Sequence, residues 1–190
     1  MRNVNKDEAN KMQPQFQRVG TADGMPLVRV YFNHREEERE SGMEEGKTYT
    51  VYLADFIERK SYLTDALAVV KEEVLEQIDA YDTSPAVNGF YLGDKLMWID
   101  IDLRVKLCTR TLPEEKKAGK TSTVLWLGNE PYDLPIDTIE DIMHKIEIYA
   151  KECLDVTNRH KALVSTLSGV DDVVNYDYIA GYPEKLSFNI

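Results

Sequence analysis

"FYLGDKLMWIDID" spans residues 90–102, and "LWLGNEPYDLPID" spans residues 125–137. Each has an aromatic or aliphatic run, a Leu-Gly, a short polar turn, a second run and an Ile-Asp exit. The step of 35 residues that carries Leu92-Gly93 onto Leu127-Gly128 also carries Ile101-Asp102 onto Ile136-Asp137. Gly93-Asp94 and Gly128-Asn129 are two-residue turn signals, because glycine enters the left-handed region without strain. The spacing therefore predicts a hairpin followed by a helix, twice. Neither copy can cover its own apolar face, so the two are expected to pack into one small sheet backed by helices. Trp98 and Trp126 fall in corresponding hairpins. Pro131 cannot donate to a ladder, which puts its strand at an edge. The expected class is α+β: a small antiparallel sheet made of two hairpin-plus-helix repeats, packed with long helices and preceded by an N-terminal β-hairpin.

The helices follow from periodicity. Leu63, Leu67, Val70, Val74, Ile78 and Tyr81 recur at three or four residues, which predicts an amphipathic helix over 61–81 that stops before Pro85. After the first repeat "DLRVKLCTR" predicts a helix opened by Asp100 or Asp102 and interrupted at Pro113. After the second, Asp137 is expected as the cap, with Glu140 three residues on. Ile139, Ile142, Ile146, Tyr149, Cys153, Val156, His160, Leu163 and Leu167 then form one stripe, ended by Ser168-Gly169. Such a helix has three options: to bend, to pack along the 61–81 helix, or to offer part of its seam to another subunit.

Outward from the repeats the chain divides into three stretches. Residues 1–20 hold few aliphatic groups and are expected to form a flexible arm. Residues 21–57 are expected to form a β-hairpin subdomain, from "PLVRVYF" (26–32) and "KTYTVYLADF" (47–56), joined by a charged loop over 33–46. Residues 58–190 make up the repeat domain.

The 190 residues are 43% hydrophobic and 30% charged, with 23 basic against 34 acidic side chains and a formal charge of −11. So negative a surface repels phosphate backbones and anionic lipid, which argues against nucleic acid and membrane as partners. No apolar run approaches the roughly 20 residues that span a bilayer. The polar start lacks a signal-peptide core, so synthesis in a cytoplasm is expected.

Signs of chemistry are sparse. Asp100, Asp102, Asp133 and Asp137 close the matching ends of the two units; they read as caps and solvated acids, or alternatively as a converging cation or acid/base pair. His34, His144 and His160 with Cys108 and Cys153 lack the spacing of a zinc site, and neither cysteine sits in a CxxC pair. No GxSxG, HExxH, phosphate-binding loop or GxGxxG occurs. No catalytic residue, metal or cofactor is therefore assigned. The tail "NYDYIAGYPEKLSF" (175–188) gathers Tyr176, Tyr178 and Tyr182 around a Gly-Tyr-Pro turn. These rings either seal the core or offer a contact for a partner or a glycan.

Residues from about 78 to 188 resemble a domain-of-unknown-function family of phage and prophage proteins. The phrases that carry the resemblance are "IDAYDTSPAVNGFYLGDKLMWIDIDLRVKL", "AGKTSTVLWLGNEPYDLPID", "IEIYAKECLDVTNRHKA" and "NYDYIAGYPEKLSF". Related modules sit at the C-terminal end of tail-fibre proteins. Pro113 departs from the continuous helical segment of that family. The resemblance implies a non-enzymatic, tail-associated structural or adaptor protein of the virion. Its partners would be other tail or virion proteins, with a homo-oligomer, trimeric if one forms. The alternatives are a receptor- or glycan-binding tip using the tail tyrosines, an acid-pair hydrolase, and a soluble accessory protein acting on a host partner.

Overall fold

The computed structural model describes residues 4–42 and 46–189. The fold is α+β, with helices and antiparallel sheets. It divides into two compact units. One holds the residues up to Gln77 together with Lys161–Asp177, and the other holds Ile78–His160 together with the residues from Tyr178 onward.

The first unit is built on a four-stranded sheet. Its strands are β1 (Asn5–Ala9), β2 (Phe16–Ala22), β3 (Met25–Glu40) and β4 (Thr48–Lys60), in the order β1-β4-β3-β2. This corrects the expected flexible arm: residues 5–9 and 16–22 are strands, paired to β4 and β3 respectively. Low aliphatic content misleads here because an edge strand can be held by backbone ladder bonds while its side chains stay half in water. It also corrects the expected loop at 33–46. Strand pairing continues through Arg35–Glu40 against Thr48–Leu53, and residues 43–45 of the expected loop lie outside the described residues. Runs of glutamate are poor strand formers, so the sequence hides this extension.

Helix α1 (Ala66–Asp82) starts later than expected. Asp65 Oδ1 accepts from the Ala68 amide at 2.9 Å, so the cap lies there and Leu63 falls outside the helix. Val70, Val74 and Ile78 are buried, as their spacing demands. In the first unit Lys71 Nζ donates to the Ser165 carbonyl at 2.7 Å, and in the second Thr157 Oγ1 donates to Asp82 Oδ1 at 2.6 Å. Each of these bonds joins α1 to the longest helix, α4 (Ile136–Thr166). Short helix α5 (Val170–Val174) follows in the first unit.

The second unit carries the repeat. Strands β5 (Phe90–Leu92) and β6 (Lys95–Met97) flank Gly93, and β7 (Ser122–Leu127) and β8 (Glu130–Pro135) flank Gly128. Both glycines have positive φ, 59° and 62°. The registers match, Leu92 opposite Lys95 and Leu127 opposite Glu130. The helices after them begin at Ile101 (α2, Ile101–Lys106) and Ile136 (α4), one repeat step apart. The two hairpins do not merge into one sheet. The first takes a short parallel strand, β9 (Ser187–Phe188), and the second stays two-stranded. What they share is a core: Phe90, Leu92, Leu125, Leu127, Ile139 and Ile146 belong to one buried cluster.

Pro113 does not interrupt the helical run. A π-helical stretch at Leu107–Thr111 links α2 to α3 (Leu112–Lys117), and the proline sits directly after it, in α3's first turn. On α2, buried Arg104 donates from Nε to Glu147 Oε1 at 2.6 Å and from Nη1 to the Ile99 carbonyl at 2.8 Å. Its guanidinium lies 5.0 Å from the Trp98 ring centre. On α4 the predicted stripe is buried from Ile139 to His160, while Leu163 further along it is exposed.

Candidate functional site

The residues singled out by sequence end up in ordinary structural positions. Asp100 caps α2, its Oδ1 accepting from the Leu103 amide at 2.9 Å, while Asp102 is exposed one turn in. Asp137 does not cap α4; its carboxylate lies 2.7 Å from Lys116 Nζ, which also holds Glu140 at 2.6 Å. Hydrogen bonding to Asp137 and Glu140 raises the Lys116 pKa. Asp133 is exposed on β8, opposite Val124. Among the described residues no three histidines, cysteines or acids gather as metal ligands, and no helix is long and apolar enough to cross a membrane.

The tail tyrosines separate. Tyr176, half-buried, belongs to the first unit. In the second, Tyr178 and Tyr182 both meet Tyr81 edge to face, at 6.1 and 5.3 Å between ring centres. Tyr182 shares a 2.8 Å hydrogen bond with Thr157 and stacks on His160, whose Nε2 donates to the Ala180 carbonyl. Burial pushes the Tyr182 hydroxyl and the Cys153 thiol up. This is a sealed tail: two of the three rings are packed inward rather than laid out as a platform.

The surface that remains unexplained lies in the first unit. β1 sits outside β4 and β2 outside β3, so the connection over 10–15 must pass from one edge to the other across a sheet face. It is pinned as it crosses: the Gln13 carbonyl accepts from His34 Nε2 and Gln13 Nε2 donates to the Tyr52 carbonyl, both at 3.1 Å. Close by, the ladder shifts between Phe32 and Arg35, with Asn33 at φ 52°. That bulge is clasped from three sides. The Asn33 amide donates to Asp171 Oδ1 at 3.1 Å, its Nδ2 donates to Asp55 Oδ2 at 3.0 Å, and its Oδ1 accepts from Asn175 Nδ2 at 3.0 Å.

Beyond the bulge β3 and β4 continue alone. Register pairs β1 only with Tyr52–Phe56 of β4, and β2 only with Met25–Val30 of β3. Among the described residues no strand therefore covers either edge of the ribbon of Arg35–Glu40 and Thr48–Val51. Because side chains alternate, its faces differ. One presents Arg35, Glu37 and Arg39 with Tyr49 and Val51; Arg39 pairs with Glu8 at 3.0 Å and Glu37 at 3.3 Å. The other presents Glu36, Glu38 and Glu40 with Thr48, Thr50 and Tyr52, and among the described residues no cation pairs with those three glutamates. At the root a recess of about 150 Å³ is lined by Gln13, His34, Glu36 and Tyr52 among others. Gln13 is 7% exposed and its Oε1 has no hydrogen-bond partner.

Sequence reasoning missed this ribbon because every position from 35 to 40 is charged, so no apolar alternation marks a strand; the one available signal was the alternation of Thr48, Thr50 and Tyr52 opposite. Comparison of the chain with protein-family models, with curated proteins and with solved structures found no match, and the surface has to be judged on its own chemistry.

Proposed function

We propose that this chain is a non-enzymatic assembly protein, an adaptor that joins other proteins through its β3–β4 ribbon. The phage-tail context rests on the resemblance of residues 78–188. The observation that carries the adaptor reading is the ribbon running past both neighbouring strands. A lone two-stranded ribbon is marginal in water, and bare strand edges are templates for another chain. A fold that braces such a ribbon with a bulge, a strap and a short helix invests in presenting it.

The test has two parts. Quantitative mass spectrometry of purified particles, made by the bacterium that carries the gene, is expected to find the chain at fixed stoichiometry to the tail proteins. Its absence would overturn the tail context. Replacing the ribbon beyond Arg35 and Tyr52 with a short turn is expected to remove the chain from particles while its thermal unfolding stays cooperative. Incorporation that survives this change would overturn the ribbon as the joining surface.

A further inference from the structure

We propose that the outer edge of β3, over Arg35–Glu40, takes an extended segment of another protein with Lys or Arg at every second position, added as a further strand. The inference rests on the adaptor reading and gives its partner's chemistry. Three observations converge on it.

The edge is open beyond the bulge: β2 stops at Phe16 opposite Val30, the Gln15 carbonyl accepts the Tyr31 amide, Asp171 takes the Asn33 amide, and among the described residues no strand pairs with the outer side of Arg35–Glu40. Strand addition uses such unpaired backbone groups for affinity and alternate side chains for selection. Next, Glu36, Glu38 and Glu40 share one face, spaced by two, and among the described residues no cation forms an ion pair with them. A strand laid along this edge sets its own alternate side chains about 5 Å from that row, so opposite charges at every second position match it. The other face needs no such partner, since Arg39 is already met by Glu37 and Glu8. Last, the recess at the ribbon's root carries a buried acceptor without a donor, Gln13 Oε1, beside Glu36. Arg35 also lines the recess, but its guanidinium is turned to the Asn33 carbonyl and Asp55, so a cationic side chain of the added strand is a donor that Gln13 Oε1 can take.

The same row argues against a second copy of this chain. Antiparallel self-pairing of the edge would set glutamate opposite glutamate, which is repulsive. The glutamates thus bar self-association while admitting a basic strand, and specificity of this kind needs both.

The probe is a fluorescein-labelled peptide of about twelve residues alternating lysine and threonine, titrated with the purified chain at roughly 0.15 M salt and followed by anisotropy. The expected result is saturable binding that weakens about tenfold or more in Glu36→Lys/Glu38→Lys/Glu40→Lys. The triple variant Asp133→Lys/Glu152→Lys/Glu184→Lys changes the charge equally elsewhere and is expected to bind as the parent does. A peptide of the same sequence with every backbone amide N-methylated keeps its charge, has no N–H to give a ladder, and is expected not to bind. No binding, equal weakening in both triple variants, or full binding of the N-methylated peptide would each overturn the proposal. Failure here with the chain still present in particles refutes the partner chemistry alone; absence from particles refutes the tail reading instead.

Discussion

Asp100 and Asp137 occupy the same place in the two repeats to within two residues, yet they do different jobs. Asp100 Oδ1 takes the Leu103 amide, whereas Asp137 reaches sideways to Lys116. The reason is what precedes each helix. Asp100 follows an irregular stretch and adopts extended backbone, φ −62° and ψ 157°, which aims its carboxylate at the first turn. Asp137 follows β8 directly and is already inside the helix. Asp100→Ala is expected to lower stability by about 1 kcal/mol in chemical denaturation. Asp137→Ala is expected to change it by less than about 0.5 kcal/mol, since its partner is an exposed lysine. The cysteines give a second contrast. Cys108 is exposed and Cys153 is buried. With Ellman's reagent the native protein should release one thiol promptly and the second only on unfolding. Prompt release of both would contradict the packing of Tyr149, Cys153 and Tyr182.

Elements were legible where apolar periodicity drives them. The two hairpins, their turns at Gly93 and Gly128 and the stripe of α4 follow from residue spacing, because an apolar face has to be buried somewhere. What spacing cannot supply is which edges meet. The hairpins keep separate sheets since β5 takes β9 from the chain's end, a pairing of Tyr91 with Ser187 that no local pattern announces. Their turns are tied by charge instead: Lys95 pairs with Glu130. Hydrogen bonding to Lys95 holds the Glu130 carboxyl below its ordinary value. A carboxyl lowered in the folded state contributes stability above its unfolded pKa and loses it as pH falls through the folded value. The carboxyl carbon of Glu130, followed by NMR, is therefore expected to titrate below the usual glutamate range. Lys95→Met should return its midpoint to that range. An unchanged midpoint would show that the clamp is absent in solution.

At the scale of the whole molecule, the second unit was legible throughout, while in the first only the β3–β4 hairpin and α1 were. The second unit is a repeat with a strong apolar code. The first depends on backbone ladders between polar strands, such as β1 along β4, and on side-chain clasps around Asn33. Neither leaves a periodic trace. The candidate site was hidden for the same reason: six consecutive charges from Arg35 to Glu40 read as solvated loop, although the strand opposite supplies their ladder. Of the tail tyrosines that stood out in sequence, Tyr178 and Tyr182 pack around Tyr81, and Tyr182 also bonds Thr157.

Residue-resolved amide exchange over Arg35–Glu40 tests the ribbon most directly. In the free protein, alternate amides are expected to be slow, bonded to β4, while those between them exchange near the rate of open chain; saturating lysine–threonine peptide should slow the fast set. Six slow amides before any peptide is added would mean the edge is already covered, and six fast ones would mean that no ribbon exists.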